Sequence, residues 1–373
     1  MSQTEDYWDE PKPHSIKKSR IVADYIVPWA AIIGSGCDEL HYLDLFSGRG
    51  IYRNGMPATP MYVLDQMKSH PDIARKMRMT FCEEDGELRD VLTRAIEEHP
   101  AYGLLKDKPV ILQDKITPSY AECLLGQVKE GTFTFVDPFG YCDISLDLLD
   151  VVTSEWGCDS LFYVSISGIV RNLKQPEKWP KLKSFFGALP FHDLMEKVDI
   201  AGGDCDLCDV IFGEIEQVLH SKRDYHLLKY TVEFEDRKTE SHYLVFITKH
   251  PRGIEKMLQT MARHGQKDGF GLTELVYSPR RESENAQLCM VVSPGDSLGK
   301  LAARLARDFS GQRIIVDSVL SACLERGYCY LPKDLRKGMD QLRQEGKLTV
   351  ISARNSHAER ELHKGTVIQF AQL

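Results

Sequence analysis

Apolar residues fall into two alternating rhythms along the first 165 positions. Ile16, Ala23, Ile26 and Val27 recur at near-helical spacing, which predicts a helix over 15–33 ended by Gly34 and Gly36. A short apolar run, Leu40–Leu45, then closes in Phe46-Ser47-Gly48-Arg49-Gly50, the form of a buried strand entering a glycine turn. The pair repeats four times: helix 60–67 with strand 78–82, helix 87–98 with strand 109–112, helix 118–129 with strand 132–136, and helix 146–156 with strand 160–165. Strands alternating with helices mean an α/β fold, a parallel sheet covered on both faces. Residues 168–224 break the rhythm. They are helix-rich, hold Trp179, Phe185 and Phe186, and read as an insertion or lid. Two strand-like runs, 227–234 and 241–248, flank the charged turn Glu235-Asp236-Arg237-Lys238 and predict an antiparallel hairpin at the sheet edge. A helix over 253–263 closes this unit, and the polar stretch 277–285 reads as a linker. The tail reads as helices 297–309, 316–326 and 331–345, then strands 347–352 and 366–370, the pattern of a winged helix. The expected domains are therefore 1–285 and 286–373.

Composition narrows the class without changing this outline. The chain has 373 residues, 42% of them hydrophobic, which excludes a mainly disordered protein and suits about two domains. The longest apolar stretch, Ile21 to Cys37, is interrupted by Asp24 and Pro28, so no membrane-spanning helix is expected. The polar opening MSQTEDYWDEPKPH carries no apolar leader, and a cytoplasmic location is the expectation. The net charge of −8 hides an asymmetry: residues 296–373 hold 13 Lys and Arg against 9 Asp and Glu, a net +4, leaving −12 for the rest. A mildly basic tail on an acidic body hints at a polyanionic partner. Of the 10 cysteines only Cys205 and Cys208 form a CxxC, with no second ligand pair nearby, so no metal site is expected.

The strand ends carry the chemistry. Each of the first four strands finishes in a carboxylate: Asp44, Glu83, Asp114 and Asp137. Such sheets bind ligands at that edge. The turn after the first strand lacks the Gly-Lys-Ser/Thr of a Walker loop and the full GxGxxG of a dinucleotide site. Its D-x-F-x-G-x-G form, Asp44 to Gly50 through Phe46 and Gly48, resembles motif I of class I S-adenosylmethionine-dependent methyltransferases. That resemblance implies S-adenosylmethionine as cofactor, with Gly48 and Gly50 allowing close packing on its methionine part and Asp44 meeting its amino group. Glu83 would accept from both ribose hydroxyls, for which a bidentate carboxylate is suited, and Asp114 would meet the adenine amine. An ordinary tight turn and solvated helix caps explain the same residues without a ligand.

After the fourth strand, Asp137-Pro138-Phe139-Gly140 resembles the D-P-P-Y motifs of methyltransferases acting on exocyclic amines of bases, and is similar to the D-P-F-G of tRNA guanine-N2 dimethyltransferases. The implied roles are amine hydrogen bonds to Asp137 and the Pro138 carbonyl, with Phe139 stacking on the base. A structural Asp-Pro turn is the alternative. Asp-Leu-Phe-Ser-Gly also looks like the opening of cytosine-5 methyltransferases, but those need a Pro-Cys pair and the chain has none.

Across most of its length the chain resembles the three-Cys-motif partner proteins. The likeness rests on Trp8, Lys12 and His14-Ser15-Ile16-Lys17, on Tyr25 and Trp29, on Leu43 through Tyr52, on Asn54-Gly55 and Thr59-Pro60, on Asp137-Pro138-Phe139-Gly140 and on Tyr243-Leu244-Val245-Phe246. It implies a bacterial protein with a class I methyltransferase-like, Rossmann-type sheet, a methyl-donor cofactor, and a neighbouring partner protein with an iron–sulfur type cysteine motif. His14 and Lys17 are placed to cap the pocket or reach a phosphate, or simply to pack over the sheet edge. In the tail, Lys333, Arg336, Lys337 and Arg343 lie on or near one face of the third helix, with Arg354, Arg360 and Lys364 in the wing, a face suited to nucleic-acid phosphates. Asp334, Asp340 and Glu345 interleave, as they do on a solvated helix. The reading is a methyltransferase acting on a nucleic-acid base amine; the alternative is a non-catalytic scaffold subunit for the cysteine-motif partner.

Overall fold

The computed structural model describes residues 6–200, 204–234, 241–268, 271–279, 297–352, 362–363 and 365–372. The chain parts into two compact units, 1–260 and 261–373. The expected boundary at 285/286 lies outside the described residues, as do the turn 235–238 and the wing positions Arg354, Arg360 and Lys364.

In the first unit a single-turn 3-10 helix (Asp6–Trp8) precedes α1 (Pro13–Ile33), β1 (Leu40–Asp44), α2 (Thr59–Ser69), α3 (Pro71–Ala74), β2 (Met77–Cys82), α4 (Gly86–Glu97) and β3 (Val110–Leu112). Then follow α5 (Tyr120–Leu124), β4 (Thr132–Val136), α6 (Leu146–Thr153) and β5 (Asp159–Ser165). Four helices fill the expected insertion: α7 (Ile166–Leu173), α8 (Trp179–Phe186), α9 (Ala188–Ile200) and α10 (Asp204–Lys222). The hairpin β6 (His226–Glu233) and β7 (Ser241–Thr248) and the helix α11 (Pro251–His264) complete the order. Seven strands lie side by side as β6-β7-β5-β4-β1-β2-β3. β1 to β5 are parallel, and the hairpin joins antiparallel through β7 on β5. This is a mixed α/β fold with a large, mostly parallel sheet.

The sheet centre is dry. β4 is buried at every position, Thr132 and Thr134 included, because both its faces are covered. α1 covers one face with Ile21, Val22, Tyr25, Ile26 and Trp29, each no more than 1% exposed. Burying side chains of that size contributes about 1.5–3 kcal/mol apiece. Tyr25 meets Phe133 of β4 and Phe246 of β7 edge-on at 5.3 and 4.9 Å, and its hydroxyl donates to Asp159 at 2.6 Å. That bond matters because Asp159 is wholly buried, and burial lifts its carboxyl to about 6.

Two helices are shorter than their patterns predict. α5 stops at Leu124 where 118–129 was expected: Leu125 turns extended at ψ 122 and Gly126 adopts φ +71. α6 stops at Thr153 where 146–156 was expected. Lys249 gathers the carbonyls of Thr153, Ser154 and Glu155, and Gly157 at φ +70 turns the chain into β5.

The second unit begins with the short β8 (Gln266–Lys267), β9 (Thr273–Glu274) and β10 (Val276–Tyr277). It continues as α12 (Ser297–Asp308), β11 (Arg313–Ile315), α13 (Val316–Glu325), α14 (Pro332–Gln344), β12 (Leu348–Ser352) and β13 (Val367–Phe370). β11, like β8, β9 and β10, is an element the pattern missed, since two or three residues cannot show a period. It pairs antiparallel with β13, giving a three-stranded sheet β11-β13-β12. Leu301, Leu305, Phe309, Val319, Met339 and Phe370 pack together as this unit's own core. Gly338 of α14 permits that: a side chain there would meet Leu301 and Leu305 of α12 at 3.0 Å.

Candidate functional site

The strand order reverses at β1, with β2 on one side and β4 on the other. Chain leaving β1 and chain leaving β4 therefore separate, and the gap at their carboxyl ends is where such sheets take ligands. A cavity of about 200 Å³ lies there. Phe46, Ser47 and Gly48 line it from the β1 turn, and Asp137, Pro138 and Phe139 from the end of β4.

The geometry adds a residue that sequence reasoning missed. Lys18 of α1 reaches into the cavity, and its Nζ lies 2.5 Å from Oδ2 of Asp137. Both side chains are withdrawn from water, at 7% and 18% exposure. Lys18 also sits 4.1 Å from the centre of the Tyr163 ring, a cation–π contact that helps hold the ammonium in place. Desolvating two charges costs several kcal/mol each, so the pair survives only through close geometry, and removing one partner strands the other at about 3–5 kcal/mol. His14, one helical turn before Lys18, lines the same cavity, and its ring lies 4.6 Å from Phe234, which lies 4.6 Å from His242. Burial first, then the Lys18 charge, pushes the His14 imidazole down to about 3, so it is neutral at ordinary pH.

The remaining strand-end acids serve the turn and its surroundings. Asp44 is fully buried and accepts from the Phe46 amide at 3.2 Å and the Tyr42 hydroxyl at 3.3 Å, bracing the glycine turn from beneath. Glu83, 8% exposed, accepts from the Asp85 amide at 2.9 Å and is hydrogen-bonded by the Gly48 amide, so it ties the β2 end to the same turn. Asp114 is exposed and accepts the Tyr120 hydroxyl at 2.7 Å; like Asp44, Gly50 and Glu83, it does not line the cavity. Lys17 is half-buried on α1 and also lies outside the cavity lining. The two glycines divide their work. Gly50, at φ +73, lets α4 approach, since a side chain would meet Leu92 at 2.7 Å. Gly48, at φ +61, is covered by the indole of Trp8, which a side chain would meet at 2.3 Å. Trp8 and Tyr7 thus form one wall of the cavity, and Tyr7 meets the ring of Phe139, itself 69% exposed, at 5.3 Å.

In the second unit the four predicted cations of α14 are not equivalent. Lys337 donates to the Gly271 carbonyl at 2.7 Å, and Arg343 is held by Asp340 at 3.0 Å. Arg336 is half-buried with its Nε shielded, and Lys333 is exposed. Cys208 is a half-buried thiol on α10, and the side chain of Cys205 lies outside the described residues. Among the described residues no three His, Cys, Asp or Glu side chains are placed to hold a metal, and no helix is long and apolar enough to cross a membrane.

No family model and no curated protein matches the sequence. Solved structures similar to this chain include a Legionella pneumophila protein, LPL1258, at 13% identity over 66% of this chain and 91% of that one, with a TM-score of 0.38. A putative methyltransferase yhhF from Escherichia coli matches at 13% identity over 65% and 89%, TM-score 0.32. The plantazolicin methyltransferase BamL, solved with S-adenosylhomocysteine, matches at 8% identity over 66% and 90%, TM-score 0.34. Scores this low leave the fold to be judged on its own strand order.

The buried turn acid makes stability depend on pH. Burial lifts the Asp44 carboxyl to about 7, with the Asp137 charge adding to the rise and the Phe46 amide opposing it. The folded state then holds the proton more tightly than the unfolded chain, where Asp titrates near 4. This contribution is therefore full below about pH 4 and is lost as pH rises through about 7, of order a few kcal/mol. Urea unfolding across that window should show Asp44→Asn gaining on the native chain as pH rises. Parallel profiles would rule out a buried, proton-holding Asp44.

Proposed function

We propose that the first unit is an S-adenosylmethionine-dependent methyltransferase acting on an exocyclic amine of a nucleic-acid base. One observation carries the reading: the glycine turn after β1 and the Asp-Pro-Phe after β4 line a single cavity, with Lys18 paired to Asp137 inside it. The residues present suit the donor. Gly48 brings backbone without a side chain of its own to the cavity wall, its Cβ direction being filled by the Trp8 indole, and Glu83 is a carboxylate anchored by two backbone amides beside that turn. Gly48, Phe46 and Glu83 would hold the cofactor, which when bound supplies an activated methyl group on a sulfonium.

The chain's own task is positioning. Lys18 occupies Oδ2 of Asp137 and fixes the carboxylate plane, leaving Oδ1 and the Pro138 carbonyl to accept the N–H bonds of a neutral amine. Those bonds orient the nitrogen lone pair. Phe139 and Tyr7 offer exposed and edge-packed rings on which a planar base can stack. The cavity's small volume favours one second reading, a subunit of this fold that supports a cysteine-motif partner without turnover itself. Ligand sites usually span about 300–1,000 Å³.

Transfer of radiolabelled methyl groups to total nucleic acid separates the two. Asp137→Asn and Lys18→Met should each lower turnover by about 100-fold or more while S-adenosylhomocysteine affinity stays within several-fold, because the lost interaction acts on the acceptor. Undiminished transfer in both variants would remove the catalytic assignment. Absence of transfer by the native chain, with its partner protein present, would favour the scaffold.

From α12 onward the second unit, in the order helix, strand, helix, helix, strand, strand, fits a winged helix that serves this activity by binding nucleic acid. Anisotropy over a salt series should show Lys333→Ala lowering the slope of log affinity against log salt by about 0.9, the loss of one phosphate contact. Arg343→Ala should change it less, since Asp340 already holds that guanidinium. Equal slopes for Lys333→Ala and the native chain would exclude α14 as the phosphate-binding face.

A further inference from the structure

We infer that Tyr7–Asp9 form a strap over the donor end of the cavity, which opens to admit and release S-adenosylmethionine and closes upon it. The inference rests on the methyl-donor reading above. Its ground is the way this segment is attached. Trp8 lies directly on Gly48, where even a methyl group would meet the indole at 2.3 Å, so the seal depends on the glycine. The same ring packs at 5.5 Å on Tyr52, and the hydroxyl of Tyr7 shares hydrogen bonds with Ser15 and Tyr52. Tyr7 also reaches Phe139 on the acceptor side, so one short segment touches both halves of the site.

The attachment is strong enough to close and weak enough to open. Trp8, Tyr52 and Ala58 make a small cluster of buried residues apart from the main core. Two backbone bonds hold the segment to the loop after β1: the Arg53 amide donates to the Trp8 carbonyl at 2.8 Å and the Asn54 amide to the Asp9 carbonyl at 3.2 Å. The Arg53–Asp9 ion pair, 2.7 Å long, is half exposed at both ends and contributes little. Segments with few buried contacts open at a small fraction of the global unfolding free energy. Opening also answers the volume problem, since it removes one wall of a cavity of about 200 Å³.

Two measurements on the full chain test this. In hydrogen exchange, the Arg53 and Asn54 amides should exchange at least about 100-fold faster than those of β4 in the free protein, and slow when S-adenosylhomocysteine saturates it. In stopped-flow binding of S-adenosylhomocysteine, Trp8→Ala and Tyr52→Ala, which remove the two rings that pack together at 5.5 Å, should each raise both association and dissociation rates by about five- to ten-fold. A ring that is only a wall contact changes the dissociation rate alone. Amides protected as well as those of β4, or association rates equal to the native chain's, would overturn the strap while leaving the cofactor reading intact. Failure of the native chain and both variants to bind would overturn the cofactor reading and the strap with it.

Discussion

The buried ion pair between Lys18 and Asp137 is the constraint around which the site is organised. It joins the helix that opens the fold to the end of a central strand, 119 positions later in the chain. A charge on α1 can face inward only because Tyr163 and Asp137 meet it there. A carboxylate at the end of β4 can stay out of water only because Lys18 meets it. Everything else at the crevice is arranged around this pair: His14 one turn away and kept neutral, Phe139 turned outward, and the aromatic arm closing the remaining side.

Beneath the pair, a hydrogen-bonded floor gives the glycine turn its shape. Asp44 braces it through the Phe46 amide and Glu83 through the Gly48 amide, so two of the strand-end acids act on backbone. Glycine is needed twice for different reasons, at Gly50 for a helix and at Gly48 for the indole of Trp8. A glycine-rich turn in such a sheet therefore need not reserve its whole bare face for a ligand. Here the chain itself covers part of it, and that cover gives the cavity its small volume and its means of opening.

Much of the fold was legible because its signals are local. Strand-like runs alternating with helical ones through position 165, and the two strand-like runs flanking the charged turn 235–238, announced a parallel sheet with an antiparallel edge. The insertion and the tail helices were also legible from composition and period. What escaped was set by distance or by brevity. Lys18 lay four positions from His14 in plain view, yet nothing local marks which lysine on a helix will turn inward to a carboxylate far along the chain. β11 was too short to show a period, and α5 ended at a glycine its apolar pattern ran past. Asp114 was placed at the correct strand end, but Tyr120 claims it and the cavity lies elsewhere. On α14, charge alone could not show that Lys337 and Arg343 are already bonded to their own unit.

The most direct test is a crystal structure of the whole chain with S-adenosylhomocysteine. The account predicts the thioether sulfur inside the crevice between Phe46 and Asp137, the Lys18–Asp137 pair intact, and Trp8 closed over the ligand. Product bound at another edge of the sheet, or Lys18 drawn off Asp137 by the ligand, would contradict it.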